Sequence, residues 1–289
     1  MDGTARIERA IEAALERSAG RGSPPQLATA MRYAVFPGGA RVRPRLCLAV
    51  AEACGDSEPK SSESMASAIE FLHCASLVHD DLPCFDNADS RRGKPSVHMA
   101  FGEPLAVLAG DALIVLAFET LAHGLPQAPG RLASLLMTLA RASGMPSGIV
   151  AGQAWECEPN VSLSEYHRQK TGALFVAATV GGAIAGGGAP EQWRRLGECI
   201  GEAYQVADDI KDLVADRAVL GKPLGQDAAN GRPSAVGQLG LRGALTRLEG
   251  LLSEAMEAIP PCEGQTELRG IIRAQATRLV PKELATAAA

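Results

Sequence analysis

Two groups of carboxylates in this chain combine residue types and spacings suited to chemistry. The run His79-Asp80-Asp81-Leu82-Pro83-Cys84-Phe85-Asp86-Asn87-Ala88-Asp89-Ser90-Arg91-Arg92-Gly93 places four acids within ten residues, with two arginines directly behind them. Packed carboxylates repel one another and are costly to desolvate, so such a group calls for cations nearby. The second run is Gln205-Val206-Ala207-Asp208-Asp209-Ile210-Lys211-Asp212. Its Gln205, Asp208 and Asp212 fall at i, i+3 and i+7, which is one face of a helix. Taken singly, the first run also fits a solvated acidic loop, and the second an exposed helix stripe with Lys211 as ion-pair partner. Two such runs facing one bundle interior would form an oxygen-only ligand set. That set selects Mg2+, which takes a few carboxylates, keeps several waters and completes its shell with phosphate oxygens. The ligand implied is a diphosphate. Cations to hold it sit beside glycines or in loops: Arg41 and Arg43 in Gly38-Gly39-Ala40-Arg41-Val42-Arg43-Pro44, Arg91 and Arg92, Lys170 of Lys170-Thr171-Gly172, and Lys222. Arginine forks hold phosphate oxygens bidentately, lysine acts as a point charge, and glycine lets the backbone come close.

The elements that must position these residues read as helices throughout. Aromatic residues are only 4% of the 289, and the long segments are filled with Ala, Leu, Glu and Arg, which are strong helix formers. Over 64–80, Ala68, Phe71, Leu72, Ala75 and Val78 make one apolar face, and further helices are expected over 103–122, 131–143, 163–185, 191–214 and 235–257. Breaks fall at Pro37-Gly38-Gly39, Pro83, Gly93-Lys94-Pro95, Gly124 with Pro126, Gly144 with Pro146, and 221–233. No composition shift or fixed-period repeat divides the chain, so residues 1–289 are expected to form a single all-α domain, a large helical bundle.

Composition excludes several classes. Hydrophobic residues at 46% and charged residues at 21% permit a sizeable core. A net charge of −5 gives no broad footprint for nucleic acid. Seven cysteines without a CxxC pair or zinc spacing read as thiols of a reducing, cytoplasmic compartment. The charged, amphipathic start lacks the apolar stretch of a signal peptide. The best membrane candidate, Ala173 to Pro190, is 18 residues with five glycines, short of the roughly 20 strongly apolar residues of a span, so a buried helix is expected there.

With these motifs in order, the sequence resembles the trans-isoprenyl diphosphate synthases, and within them the bacterial geranylgeranyl diphosphate synthases. The resemblance is carried by Asp80 to Asp86 followed by Arg91-Arg92-Gly93, and by Asp208-Asp209-Ile210-Lys211-Asp212. Gly38-Gly39 with Arg43-Pro44, His73, Phe101-Gly102-Glu103, Gly110-Asp111, Gly152-Gln153, Lys170-Thr171-Gly172, Gln205 and Gly221-Lys222-Pro223 fall in order around them. It runs from about residue 28 to about 237. The resemblance implies a homodimer of all-helical subunits, each with a deep central cavity and magnesium bound by Asp80, Asp86, Asp208 and Asp212. An allylic diphosphate would be held through that metal, with Arg91, Lys170, Thr171, Gln205 and Lys222 on its oxygens. Isopentenyl diphosphate would sit on Arg43, His73 and Arg92. Asp81 and Asp209 complete the implied catalytic set. His73 lies seven residues before Asp80, two turns along the same helix face; without the resemblance it reads as a core histidine.

In this family a bulky side chain below the first motif limits product length. Here the positions five and four before Asp80 are Ala75 and Ser76, which points to a C20 product, supplied to carotenoid or other pigment synthesis, rather than a C15 stop; Phe71, Leu72 or the 103–122 helix would then set the floor. The chain departs from the family at Ala40, where a lysine on isopentenyl diphosphate is usual, with Arg41 as the nearest substitute. Losing one charge-assisted contact costs on the order of 1.5 to 3 kcal/mol. Ala88 and Gln226 also stand where an acid and a lysine are common. A terpene cyclase would not need the second-substrate residues Arg43, His73 and Arg92, and a non-catalytic partner subunit would usually have lost carboxylates that are intact here.

Overall fold

The computed structural model describes residues 3–159, 163–218 and 234–279, with backbone alone at a few helix positions, Asp212 among them. The described residues are mostly helical, with one short hairpin as the sheet, as the composition implies. In order it forms α1 (Gly3–Ser18), α2 (Pro25–Val35), α3 (Val42–Ala53), α4 (Pro59–Asp80), a hairpin of β1 (Ser90–Arg91) and β2 (Lys94–Pro95), α5 (Val97–Phe101), α6 (Glu103–Gly124) and α7 (Pro129–Ser143). There follow α8 (Ile149–Ala154), α9 (Leu163–His167), a π-helical turn Arg168–Gly172, α10 (Ala173–Gly186), α11 (Arg194–Ala218), α12 (Ala235–Glu257) and α13 (Gln265–Leu279). The described residues group into two compact units, one of residues 1–140 with 180–188, the other of 141–179 with 189–289.

In the first unit the most extensive helix pairing is that of α4 with α6. The apolar positions expected on α4, Ala68, Phe71, Leu72, Ala75 and Val78, are all buried, and burial continues around the helix to Met65, Ile69 and Glu70. On α6 the buried set Ala106, Ala109, Gly110, Leu113, Leu116, Ala117, Thr120 and Leu121 follows the 3–4 spacing of one stripe. Each large side chain so buried contributes roughly 1.5–3 kcal/mol. Two glycines of α6 let the helices close on each other in antiparallel fashion. A Cβ at Gly110 would lie 2.1 Å from His79 Nε2, and one at Gly124 1.7 Å from Ser64 Oγ. The end of α4, where the first acids sit, is thereby fixed against the start of α6.

The break expected at Gly93-Lys94-Pro95 is a two-residue hairpin turn. Arg91 pairs with Lys94 across it, and Arg92 and Gly93 both have positive φ, 53° and 77°, as a turn that matches strand twist requires. Lys94 ties the hairpin to α2 by donating from Nζ to the carbonyls of Tyr33 and Phe36, the latter at 2.6 Å, which satisfies open carbonyls at that helix end.

In the second unit, α11 and α12 pack around Ala203, Val206, Ala207, Ile210, Ala244, Leu248 and Leu251. The start of α12 is capped by Ser234, whose Oγ accepts from Gly237 N at 3.0 Å. The apolar run after Ala173 forms α10, and its Phe175, Ala178 and Ala183 are fully buried. Among the described residues the helix long and apolar enough to cross a membrane by length and composition is α6 rather than that run. Asp111 and Glu119 lie within α6.

Candidate active site

In the first unit α4 ends at Asp80, and the loop containing Pro83 folds back onto the helix end. Asp86 N donates to the Asp80 carbonyl at 2.9 Å and Ala88 N to the Asp81 carbonyl at 3.1 Å. Asp80 and Asp86 are left half-buried, whereas Asp81 is only 2% exposed. Asp81 accepts a fork from Arg91, with Nε 3.1 Å from both carboxylate oxygens and Nη2 2.5 Å from Oδ1. These bonds raise the Arg91 guanidinium above its ordinary pKa and fix the hairpin that carries its neighbour. Arg92, held at positive φ, presents its guanidinium to the glycine loop, where a Cβ on Gly39 would come within 3.1 Å of its Cζ. A non-glycine residue in that conformation is strained by about 1 kcal/mol, a cost that functional sites commonly carry. Arg43 Nη1 lies 3.4 Å from His73 Nε2. Burial, together with the charges of Arg43, Arg92, Arg91 and Arg41, holds the His73 imidazole well below its ordinary pKa. A neutral imidazole beside two arginines is a suitable pocket for an anion, since it hydrogen-bonds without a further charge to desolvate.

Arg41 does not take the place of the lysine absent at Ala40. It sits in the left-handed region with φ 48° and turns inward, 3% exposed. There it donates to Glu70 Oε1 at 2.6 Å, to Glu8 Oε1 at 2.8 Å and to the Val35 carbonyl at 3.0 Å. Burial works against its charge, and the Glu8 and Glu70 carboxylates more than restore it. Gly38 is required for this inward turn, because a Cβ there would fall 2.2 Å from Arg41 Cζ.

In the second unit, Lys170-Thr171-Gly172 lies on the π-helical turn, a form that recurs at functional sites. A Cβ on Gly152 of α8 would lie 2.3 Å from Lys170 N, and one on Gly201 of α11 2.7 Å from Gly172 Cα. Both glycines permit close approach to the turn. Thr171 Oγ1 donates to Gln205 Oε1 at 2.7 Å, and Gln205 Nε2 donates to Asp209 Oδ1 at 3.0 Å. Asp209, 7% exposed, also accepts from Ala235 N at 2.6 Å, which anchors the start of α12. Asp208 is exposed and lies 3.6 Å from Lys211 Nζ. Lys170 Nζ donates to Glu156 Oε1.

Of the residues singled out in the sequence, the first unit brings together Arg43, His73, Asp80, Asp81, Asp86, Arg91 and Arg92, and the second Lys170, Thr171, Gln205, Asp208 and Asp209. The side chain of Asp212 and all of Lys222 lie outside the described residues. Among the described residues, no three His, Cys, Asp or Glu side chains already converge on one point. In the first unit the reachable acids Asp80 and Asp86, and in the second Asp208, each offer oxygen donors alone, the donor type that suits a hard ion. Sequence reading missed Glu156, Tyr166, Glu8 and Glu70. Glu156 was legible as an acid three residues after Gln153 in an otherwise apolar stretch, whereas Glu8 and Glu70 meet Arg41 only through tertiary packing.

One helix, α4, ends on paired acids beside arginines, and another, α11, carries paired acids along its length opposite a lysine-bearing turn; such motifs are those of a helical enzyme class that handles diphosphates. The chain belongs to the polyprenyl synthetase family, whose model matches residues 24–266. It is 54% identical over 280 residues to a geranylgeranyl diphosphate synthase of Cereibacter sphaeroides, covering 97% of each chain. It is 51% identical to the enzyme of the same name from Rhodobacter capsulatus, covering 95% of each. Among solved structures it is similar to a geranyltransferase from Legionella pneumophila, with TM-score 0.82 and 29% identity over 96% of this chain and 94% of that one. A geranyltransferase from Helicobacter pylori, solved with magnesium and isoprenyl diphosphate, aligns with TM-score 0.77 and 28% identity over 96% and 98%.

Proposed function

We propose that this chain condenses isopentenyl diphosphate head to tail with C5, C10 and C15 allylic diphosphates, giving geranylgeranyl diphosphate, C20, as its main product. The observation that carries the reading is 54% identity to a geranylgeranyl diphosphate synthase over nearly the whole of both chains, with both carboxylate motifs intact. Asp80, Asp86, Asp208 and Asp212 are the magnesium ligands in this reading, and the Helicobacter structure with magnesium and isoprenyl diphosphate supports that choice of ion. When bound, magnesium offsets the charge of the diphosphate and eases its departure.

The chain's own cations do the rest of the electrostatic work. Arg91, Lys170 and Lys222 take up the negative charge that the diphosphate gains as the allylic C–O bond breaks, with Thr171 and Gln205 beside its oxygens. Arg43, Arg92 and neutral His73 hold isopentenyl diphosphate so that its double bond faces the allylic carbon. Its π electrons form the new carbon–carbon bond, and the resulting cation loses a proton to an oxygen of the released diphosphate. Apolar side chains of α4 below the motif, Leu72 and Ala75 among them, keep out water that would quench the cation. Asp81 and Asp209 act by holding Arg91 and Gln205.

The small side chains at Ala75 and Ser76 support the C20 product. An assay with labelled isopentenyl diphosphate and each allylic starter, resolved by chain length, is expected to give C20 from wild type and C15 from Ala75→Phe. A C15 stop in the wild type would place the floor above these positions and favour the shorter product. The proposed assembly is a homodimer of single-domain subunits in the cytoplasm, serving isoprenoid and carotenoid synthesis. Its support is the outer face of α6, where Leu108 and Val115 are 51% and 65% exposed with Asp111 between them. None of the seven cysteines is in a disulfide, which suits a reducing compartment. Sedimentation of Val115→Glu is expected to give monomer where wild type gives dimer.

A further inference from the structure

We infer that Glu156 is a positioning residue that sets the Lys170 ammonium for the allylic diphosphate, an inference that rests on the reading of Lys170 as a diphosphate ligand. Glu156 lies in the 3₁₀ turn Trp155–Cys157 directly after α8. One of its oxygens, Oε1, accepts from Lys170 Nζ and from Tyr166 Oη, the latter at 2.5 Å, and Oε2 faces Gln153 Nε2 at 3.5 Å. The Glu156 and Lys170 side chains are 12% and 20% exposed, so water competes weakly for this pair.

The surroundings leave the carboxylate little freedom. Gly152 lets α8 close on the backbone of Lys170 to a distance that a Cβ would forbid. Beside it, Trp155 Nε1 donates to Gln169 Oε1 at 2.9 Å and Gln169 Nε2 donates to Glu165 Oε2 at 3.2 Å. Residues on both sides of the Glu156–Lys170 pair are thereby braced across the same two segments. A lysine side chain has four rotatable bonds and loses much entropy on being fixed. An ammonium has three donors; the bond to Glu156 fixes its place and leaves capacity for phosphate oxygens. Gln153 and Tyr166 serve this arrangement by orienting the carboxylate.

The test is steady-state kinetics with both substrates varied, on Glu156→Gln, Lys170→Ala, the double variant and Tyr166→Phe, each with a thermal melt. Glu156→Gln is expected to raise KM for the allylic diphosphate about tenfold, the size of one lost charge-assisted contact, with KM for isopentenyl diphosphate and Tm unchanged. Tyr166→Phe is expected to give a smaller rise of the same kind, and covers the case in which Glu156→Gln does not fold. In the Lys170→Ala background, Glu156→Gln is expected to add nothing. Equal effects in both backgrounds, or a fall in Tm with both KM values raised, would mean a merely structural role and overturn the inference. An unaffected Glu156→Gln beside an impaired Lys170→Ala would overturn it while leaving the diphosphate reading intact. A Lys170→Ala enzyme with unchanged allylic KM would overturn that reading, and this inference with it.

Discussion

In the first carboxylate motif the buried acid, Asp81, faces a guanidinium, whereas in the second the buried acid, Asp209, is bonded to the Gln205 side-chain amide and to the backbone N–H of Ala235. The adjoining acids differ in the opposite sense from their neighbours: Asp80 is half-buried and Asp208 is exposed, both reachable by a ligand. Each motif thus divides its labour between an acid that faces outward and one that organises the protein. The organising task differs. Asp81 fixes a hairpin through a full ion pair, while Asp209 ties two helices together at an N-terminus, where the helix dipole favours negative charge. Adjacent aspartates that look alike in sequence therefore fail in different ways when removed.

The largest effect is expected at the outward acids. Asp80→Ala and Asp208→Ala should each lower kcat by on the order of 10²–10³, as loss of one group that stabilises developing charge does, with Tm essentially unchanged. A Tm drop comparable to that of the buried acids would erase the division. Next comes Asp209→Ala, which leaves the Ala235 N–H buried without its acceptor; urea unfolding should show a loss of about 2 kcal/mol. Arg91→Lys loses the fork on Asp81, and because the Arg91 side chain is 36% exposed the cost should stay near 1 kcal/mol.

The smallest effect is a pH dependence at His73. Its folded pKa is depressed below the unfolded value of 6.5, so the unfolded chain binds the proton first as the solution is acidified. The contribution to stability is full above 6.5 and is lost as pH falls through the depressed folded value. Melting curves between pH 8 and 5 should show wild type losing stability faster than His73→Gln. Parallel curves would mean that His73 titrates alike in both states.

Much of this was legible in the sequence because helix periodicity and turn chemistry agree with the final packing. The apolar positions of α4, the stop before Pro83 and the pairing of His73 with Asp80 on one face all follow from spacing. The hairpin at Arg91–Lys94 did not, since two paired residues on each side leave too short an alternation to detect. The division between Asp80 and Asp81 was also hidden, because neighbouring residues at a helix end diverge in burial only once the hairpin closes over one of them. Arg41 misled for a related reason. Its place in a glycine loop beside Arg43 suggested a substrate contact, but its positive φ sends the side chain inward to Glu8 and Glu70.

The most direct test of this division is calorimetric titration of an unreactive allylic thiolodiphosphate, in magnesium, into wild type, Asp80→Ala, Asp208→Ala, Asp81→Asn and Asp209→Asn. The account predicts that each outward-acid variant loses tight binding while the two buried-acid variants, once shown to be folded, bind within a few-fold of wild type. Wild-type affinity in Asp80→Ala or Asp208→Ala would contradict it.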